Sequence, residues 1–220
     1  MALTVEWLGH CCFRLQGDDT AAVLIDPFDG KIGLKVPKYD CDVLLLTHHH
    51  YDTSASHLVK SGYELVNKKG PTLSGGIAFN GFPWWHDTRK GKDYGSVITY
   101  RFEIGGFNVG YLSHIGAVPP RWFSEEMTGL DLCFIPCGGH LTIGASDATF
   151  IVKELKPKLV FPMHIALPHL SFTLQPGSEF AARMQEKEYI RDYKYIIEKD
   201  DLPKSPTQVL MQHWPDVQVF

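Results

Sequence analysis

The sequence predicts a layered α/β fold, and three observations support this prediction. Short apolar runs at 43–46, 132–135 and 159–162 are typical of strands buried on both faces, because a half-exposed strand would alternate apolar and polar residues. Residues 147–155 have the spacing of an amphipathic helix. Polar residues, most often histidine, follow several of these strands. In α/β proteins, binding and catalytic sites commonly lie in the loops at strand ends.

The first half of the chain is predicted to be mostly strands. Residues 3–8 and 11–15 alternate and form a hairpin, and residues 21–25 make a third strand that Asp26-Pro27 closes. A short helix is expected at 54–60, with Ser54 or Ser56 as its cap. Further strands are predicted at 63–66, 76–79, 95–104 and 107–112, with a turn at 68–71.

The second half alternates strands with helices. A short helix is expected at 121–127, followed by the strand at 132–135. The helix at 147–155 is the clearest, with Ser146 as a plausible cap and Pro157 as its stop, and its inward positions are Ala148, Ile151, Val152 and Leu155. A second amphipathic helix opens at Ser178, and a last strand lies near 208–212.

Bulk properties narrow the class of protein. A length of 220 residues allows one domain or two, but no linker, repeat or low-complexity tract marks a boundary, so we expect residues 1–220 to form a single domain. The formal charge of -4 and the pI near 6.2 give no broad basic field, so stable binding to nucleic acid is not expected. A small-molecule substrate, including a small nucleotide, stays possible. Oligomeric state is left open.

Cysteine usage and hydropathy indicate the compartment. The five cysteines are odd in number and form no CxxC pair, which is typical of a reduced protein, so we assign them to packing. The N-terminus lacks the features of a signal peptide, and no apolar window approaches the roughly 18 residues of a membrane span. We therefore expect a soluble, cytoplasmic protein with no membrane partner.

A cluster of polar residues follows the strand at 43–46. His48 and His50 are two residues apart, so in an extended loop they project to the same side and can bind one ion, and Asp52 continues that side. A solvated polar loop is the alternative, but four metal-competent side chains within five residues favour a metal site. His49 points away if the loop is extended.

Three other histidines also stand at strand ends. His86 follows the aromatic stretch 82–85, His114 follows the strand at 107–112, and His164 follows the strand at 159–162. A histidine in such a place is ordinarily a buried, hydrogen-bonded core residue. Taken with His48, His50 and Asp52, however, they can supply one or two tetrahedral metal sites with a position left open for water.

These motifs resemble those of metallo-β-lactamase-fold hydrolases, in the branch similar to ascorbate-phosphate lactonases and Zn-dependent hydrolases. The resemblance runs nearly end to end and rests on the stretches at 7–10, 25–28, 47–52, 86–87, 113–116, 135–139 and 162–164. It implies a four-layer αββα sandwich with a metal centre at one edge of the sheets. It also implies that His48, His50 and His86 hold the first metal, and that Asp52 and His164 serve the second.

Two residues depart from the family pattern. The family usually reads HxHxDH, but Thr53 replaces the last histidine, and His114 stands where an aspartate bridges the two metals. A neutral imidazole offers one lone pair to one metal and cannot bridge, so this change removes both the bridge and a charge. We therefore expect one tight metal and a second site that is weak, rearranged or empty.

Two donor sets compete for the tight site. The set of His48, His50 and His86 favours zinc, because three histidines with an open position activate water near neutral pH. The alternative set of Asp52, His114 and His164 also suits iron, and manganese is possible.

The leading hypothesis is hydrolysis of an ester, lactone, amide or phosphoester by a zinc-activated water molecule. Asp52 would accept the proton or orient the water, and His114 or His164 would protonate the leaving group or bind the developing anion. A non-catalytic member of the fold is the first alternative, since two ligands are replaced. A nuclease is the second, and would need a basic groove beside the metal, formed for example by Lys31, Lys35, Arg89, Lys90 and Lys92.

Four further residues are candidates for substrate contact or for support of the ligands: His140, Asp26, His10 and Thr53. Asp26 would orient a ligand, His10 would brace a turn, and His140 lies after two glycines near the expected pocket. His169 and His213 are expected at the surface.

Overall fold

The computed structural model describes residues 1–204 and 207–212, which form two mixed β-sheets with helices in the connections. Strands are labelled in chain order. The first sheet contains β1 Ala2–Gly9, β2 Cys12–Gly17, β3 Val23–Ile25, β4 Val43–Leu45, β5 Glu64–Val66 and β13 Lys194–Glu198. Its strand order is β13-β1-β2-β3-β4-β5. The pairs from β13 to β3 are antiparallel, whereas β3, β4 and β5 run parallel.

The second sheet has eight strands. They are β6 Gly70–Ser74, β7 Ile77–Trp85, β8 Ser96–Ile104, β9 Phe107–Tyr111, β10 Leu132–Pro136, β11 Leu159–Met163, β12 Glu186–Ile190 and β14 Gln208–Gln212. The order is β12-β14-β11-β10-β9-β8-β7-β6. Strands β6 to β9 form an antiparallel meander, and β9, β10, β11, β14 and β12 are parallel.

Strand direction explains why polar residues far apart in the chain meet. In the first sheet β1, β3 and β4 point the same way, because two antiparallel steps separate β1 from β3 and β3 is parallel to β4. In the second sheet β7, β9 and β11 share one direction by the same reasoning. The residues that follow these six strands therefore lie at common sheet edges, where sites form in α/β proteins.

Aromatic side chains pack the two sheets face to face. Phe13 on β2 lies with its ring centroid 4.7 Å from that of Phe134 on β10 and 6.4 Å from that of Phe161 on β11. All three side chains are fully buried. Burial of a side chain of this size contributes about 1.5–3 kcal/mol, so this cluster helps to hold the sheets in a fixed relative position.

Among the described residues, three α-helices lie in the connections of the eight-stranded sheet: α1 Arg121–Glu126, α2 Ala145–Leu155 and α3 Gly177–Ala181. The inward positions predicted for α2 are all buried. The predicted cap is wrong, because the N-cap of α2 is Gly144 and Ser146 lies inside the helix. In the described part of the chain, no helix is long and apolar enough to cross a membrane.

Short 3-10 helices occupy Gly30–Ile32, Ser56–Leu58 and Lys199–Asp201. The second of these replaces the helix expected at 54–60. The hydroxyl of Ser54 donates backwards to the carbonyl of His50 at 2.7 Å, so Ser54 does not cap a helix that begins after it.

The strand predictions hold for most of the core and fail at the edges. The hairpins β1–β2 and β8–β9 are confirmed, as are β4, β10 and β11. Strand β6 includes Pro71, where a turn is predicted, and a proline is tolerated there because β6 is an edge strand. Strands β12 and β13 are not predicted, since both are mostly exposed edges with little apolar alternation. His169 is exposed as expected, whereas His213 lies outside the described residues.

Candidate metal centre

The strand-end residues converge into two groups of metal-competent side chains. The first group is His48, His50 and His86, and the second is His10, Asp52, His114 and His164. Within each group the potential ligand atoms all lie within 4.8 Å of one another. The structure therefore brings together all six residues that the sequence proposes as ligands, and it adds His10 to them.

The first group has the donor set that a zinc ion requires. The ring centroids of His48, His50 and His86 are 4.6 to 5.0 Å apart. The Nε2 atoms of His48 and His86 are buried and have no hydrogen-bond partner among the residues that the structure describes. An unpartnered buried nitrogen is costly, and a cation that accepted both lone pairs would remove this cost. The residues present thus fit zinc.

Hydrogen bonds fix the orientation of two of these imidazoles. His86 Nδ1 lies 3.0 Å from the carbonyl oxygen of Leu141, so Nδ1 carries the proton and Nε2 presents a lone pair. His48 Nδ1 lies 2.9 Å from the hydroxyl of Thr47. Both rings are therefore held with Nε2 free to bind a metal.

Asp26 stands behind Thr47 and anchors it. One carboxylate oxygen of Asp26 accepts the Thr47 backbone N–H at 2.9 Å, and the other accepts its hydroxyl at 2.7 Å. Since the Thr47 proton is used in this way, Thr47 must accept hydrogen bonds from Ser113, at 2.7 Å, and from His48. Asp26 thus acts on His48 through Thr47, which is the orienting role that the sequence suggests for it.

Asp26 is itself fully buried. Burial raises its pKa to about 7, although the hydrogen bonds from Thr47 and from the Tyr111 hydroxyl, 3.1 Å away, oppose this rise. Burial favours the neutral form of Asp26, and the hydrogen bonds from Thr47 and Tyr111 favour the ionised form.

The second group is held by its own hydrogen bonds. His10 Nε2 lies 3.0 Å from Asp52 Oδ2, and because an ionised carboxylate only accepts, Nε2 is the donor. His164 Nδ1 lies 3.2 Å from the hydroxyl of Thr142, whose proton goes to the carbonyl of Gly139 at 2.9 Å. His164 must therefore donate from Nδ1, which leaves a lone pair on Nε2.

The charge states in the absence of a cation follow from burial. Burial lowers the pKa of His48, His114 and His164 well below the ordinary histidine value, and neighbouring histidines lower it further. Burial likewise lowers the pKa of His50. These rings are neutral at pH 7, the form that binds metals. Burial alone would raise the pKa of Asp52, but the hydrogen bond from His10, together with the electrostatic effects of His10, His164 and His48, outweighs burial and holds the pKa below its usual range.

The backbone is strained where these residues leave their strands. His10, Asp26, Ser113 and His164 follow β1, β3, β9 and β11, and their φ angles are 52, 47, 52 and 52°. This left-handed conformation is unfavourable for residues other than glycine and is enriched at functional sites. At these positions it turns the chain sharply at the edge of each sheet.

Asp87 organises the loop after His86. Its carboxylate accepts hydrogen bonds from the backbone N–H groups of Arg89, Gly91, Asp93 and Tyr94, at 2.7, 2.9, 3.1 and 2.9 Å. Burial opposes these bonds, but together they lower the pKa of Asp87 below its ordinary value. These hydrogen bonds thus hold the loop at 88–95 against Asp87, the residue that follows the candidate ligand His86.

Some predicted residues lie outside both groups. Thr53 is buried, and its hydroxyl donates to the carbonyl of His50 at 3.4 Å, so it supports the loop. His140 is exposed and stacks on Phe172 with a centroid distance of 6.0 Å. His49 is exposed, as expected from its place between two inward-facing histidines.

Two neighbours of the second group were missed by sequence reasoning. The Cys11 Sγ atom lies 2.9 Å from Nε2 of His114, whereas the sequence predicts only a packing role for the cysteines. Phe172 lies over the group, with its ring 5.6 Å from that of His10 and 6.4 Å from that of His164. The GHC stretch directly before β2 is the only sequence signal that points to Cys11, and none points to Phe172.

Comparison with known proteins shows which family this sequence resembles. Residues 4–164 match the family model described as Beta-lactamase superfamily domain. A UPF0173 metal-dependent hydrolase of Thermus thermophilus is 30% identical over 214 residues, which cover 83% of this chain and 92% of the relative. A UPF0173 metal-dependent hydrolase of Thermococcus onnurineus is 28% identical over 188 residues, which cover 73% and 83% of the two chains.

Among solved structures, a Thermotoga maritima protein of the metallo-β-lactamase superfamily, named as a Zn-dependent hydrolase, superposes with a TM-score of 0.77. The two chains are 28% identical, and the superposition covers 96% of this chain and 98% of the other. This likeness confirms the sandwich fold that the motifs predict, here built with few helices.

Proposed function

Because this chain belongs to the beta-lactamase superfamily, we propose that it is a metal-dependent hydrolase that binds one zinc ion tightly on His48, His50 and His86. The observation that carries the proposal is the pair of buried Nε2 atoms, on His48 and His86, that have no hydrogen-bond partner within residues 1–204 and 207–212. When bound to three histidines with an open position, zinc lowers the pKa of a water molecule to about 7, so that a nucleophile forms near neutral pH.

Asp52 is the proton acceptor in this proposal. It is ionised, largely buried and held by His10, so it keeps a fixed position beside the two groups of histidines. A buried carboxylate with a fixed orientation can take a proton from the attacking water or hold that water in line.

In this proposal His114 and His164 bind a cation and do not donate protons. The Nε2 atom of His164 presents a lone pair, because its proton is on Nδ1 and goes to Thr142. The Nε2 atom of His114 faces the thiol of Cys11. The sequence suggests that one of them protonates the leaving group or binds the developing anion, but this arrangement favours binding a cation instead.

The substrate in this proposal is a small molecule with an ester, lactone, amide or phosphoester bond. Phe172, Tyr51 and His140 form an aromatic wall beside the second group, with the Tyr51 and Phe172 rings 6.4 Å apart. Such a wall suits a substrate with a flat or apolar part.

The position of basic residues argues against a nuclease. A cavity of about 530 Å³ is lined by five cationic side chains, Lys153, Lys156, Lys158, Arg183 and Lys204. Lys158 precedes β11 whereas His164 follows it, so this cavity lies at the opposite end of the strand from the histidines. Of the basic residues that a nuclease could use, Lys31 and Arg89 are paired with Asp29 and Asp93.

The proposal is tested by His48→Ala and His86→Ala, with His49→Ala as the matched control because His49 is in the same loop but exposed. We expect the first two variants to lose tightly bound zinc, measured by elemental analysis after purification without added metal. They should also lose hydrolysis across a panel of esters, lactones, amides and phosphoesters, while the control keeps both. Zinc content and hydrolysis that are unchanged in His48→Ala would contradict the proposal. Bound zinc without turnover on any substrate would instead support a non-catalytic member of the fold.

A further inference from the structure

The cavity of about 530 Å³ lies at the amino ends of β11 and β14, and the metal centre does not account for it. Lys158 precedes β11 and Thr207 precedes β14, and both residues line the cavity. His164 follows β11 at its other end. The five residues of β11 therefore separate the cavity from the histidines, a length of roughly 16 Å.

The wall of this cavity is cationic. Of the described residues that line it, none is acidic and five are basic: Lys153, Lys156, Lys158, Arg183 and Lys204. The ammonium group of Lys158 pairs with Asp131 at 2.9 Å. The other four basic side chains form no ion pair with any described residue. Because the whole chain has a formal charge of -4, this local charge is opposite in sign to that of the protein.

We propose that this cavity binds a small molecule that carries two or more phosphate groups. A phosphate group on an organic molecule carries about -1.5 to -2 charges near pH 7, so the four unpaired cations balance at least two such groups. The volume lies in the range of roughly 300–1,000 Å³ that is typical of small-molecule sites. The proposal does not depend on the activity of the metal centre.

The rest of the lining suits the remainder of such a molecule. Val152, Pro157 and Met184 are buried apolar residues of the wall. Small-molecule sites usually combine apolar side chains with a few polar groups that orient the ligand. A nucleic acid would instead need cations along an extended groove, whereas these cations surround one concave space.

Hydrogen bonds fix the backbone around the cavity. The Thr207 hydroxyl donates to the carbonyl of Pro157 at 2.6 Å and so joins the segments that lead into β14 and β11. The ammonium group of Lys187 donates to the carbonyls of Ala181 and Met184, both at 3.2 Å, and holds the turn that carries Arg183. A site that is already ordered loses less conformational entropy when a ligand binds.

The backbone of Lys156 gives a second reason to assign a binding role to this wall. Lys156 ends α2 in the left-handed conformation, with φ 49° and ψ 49°, where glycine is the usual residue. Carbonyl groups at a helix C-terminus attract cations, but Lys153 in the last turn already provides one. The end of the helix therefore does not explain a lysine at 156, whereas an anion in the cavity does.

Titration calorimetry with inorganic triphosphate tests the proposal. We expect the wild-type protein to bind triphosphate, with an affinity that falls as the salt concentration rises. Lys156→Gly and Arg183→Ala should each weaken binding by about five- to tenfold, the effect of removing one partly hydrated charge. Lys69→Ala is the matched control, since Lys69 is exposed in the connection between β5 and β6, and it should leave the affinity unchanged.

Lys156→Gly separates binding from folding. Glycine suits the left-handed conformation, so this variant should unfold at about the same temperature as the wild-type protein. Circular dichroism establishes that it is folded. A folded Lys156→Gly variant that binds triphosphate as tightly as the wild-type protein would contradict the proposal.

Three further ligands identify what the cavity recognises. Orthophosphate should bind at least tenfold more weakly than triphosphate, because it balances fewer cations. A nucleoside triphosphate distinguishes an organic from an inorganic ligand, since only the organic ligand gains affinity from the apolar wall. A short single-stranded oligonucleotide that binds this wall while triphosphate does not would show that the proposal is wrong.

His48→Ala separates the cavity from the metal centre. It should keep the affinity for triphosphate, and Lys156→Gly should keep the metal content of the wild-type protein. Loss of triphosphate binding in folded His48→Ala would place the anion on the metal and overturn the proposal. Absence of triphosphate binding to the wild-type protein at low salt would overturn it as well.

Discussion

The hydroxyl of Thr47 lies 2.9 Å from Nδ1 of His48, and this contact decides which nitrogen of the imidazole is free. Thr47 gives its own proton to Asp26 and can therefore only accept from His48. The residue just before the first histidine of the cluster thus sets the direction in which that histidine can bind a metal.

The first prediction concerns Thr47→Val. The change removes the acceptor for His48 Nδ1 and one of the donors to Asp26, which keeps the Thr47 backbone N–H and the Tyr111 hydroxyl, so we expect metal affinity to fall by about 10–100-fold. Stability should fall by about 1–3 kcal/mol, because buried polar groups lose their partners. Metal titration and chemical denaturation measure the two effects.

The control for this change is Thr149→Val. Thr149 is also buried, but its hydroxyl donates to the carbonyl of Ala145 within α2. The Thr149→Val variant should leave metal affinity unchanged. Equal losses of affinity in both variants would show that Thr47 has no orienting role.

The second prediction concerns Asp87→Ala. Four backbone N–H groups lose their acceptor, so the loop at 88–95 should exchange its amide hydrogens faster. Because the loop adjoins His86, metal affinity should fall about tenfold. Hydrogen exchange and metal titration measure these effects. Asp93→Ala, which removes only the exposed ion pair with Arg89, should change neither measurement, and a similar effect of both variants would oppose this reasoning.

The third prediction concerns Gly138→Ala. A Cβ atom at this position would lie 2.0 Å from the carbonyl oxygen of His164, so the backbone that carries His164 must move. We expect a loss of about 1–3 kcal/mol in the free energy of unfolding and weaker metal binding. Gly30→Ala is the control, since its Cβ atom would lie 3.8 Å from the nearest atom, on Val36. Unchanged metal binding in Gly138→Ala would mean that His164 is not a ligand.

The fourth prediction concerns the pH dependence of stability. Asp131 is buried and accepts hydrogen bonds from Lys199 at 2.6 Å, Lys158 at 2.9 Å and the backbone N–H of Asn108 at 2.8 Å. Burial opposes these donors, but they lower its pKa below the ordinary value of 3.8. The folded state thus binds this proton less readily than the unfolded state does.

It follows that the stability contributed by Asp131 is fully present above pH 3.8 and is lost as the pH falls through the lowered pKa of the folded state. Asp131→Asn should therefore destabilise the protein by about 1–3 kcal/mol at neutral pH, and the difference should shrink in acid. Denaturation at several pH values tests this. Asp40→Asn, which affects an exposed pair with Lys60, should show little difference, and a constant deficit of Asp131→Asn down to strong acid would refute the pairing.

The sequence by itself determined the buried strands and the histidines that end them. Strands β4, β10 and β11 are apolar on both faces, and such a run has few alternatives to a central strand. Where such strands are parallel, the residues that follow them must meet at one edge. For this reason His48, His50, His86, His114, Asp52 and His164 could be grouped from their positions alone.

Only the tertiary structure decided the contacts between side chains from different strands. Cys11 and His114 are 103 residues apart, and His10 and Asp52 are 42 apart. No local sequence pattern predicts either pair. Each contact depends on how the two sheets pack and on the left-handed residues that turn the chain where the strands end. The exposed edge strands β12 and β13 likewise carry too little apolar alternation to be recognised, and pairing with their neighbours defines them.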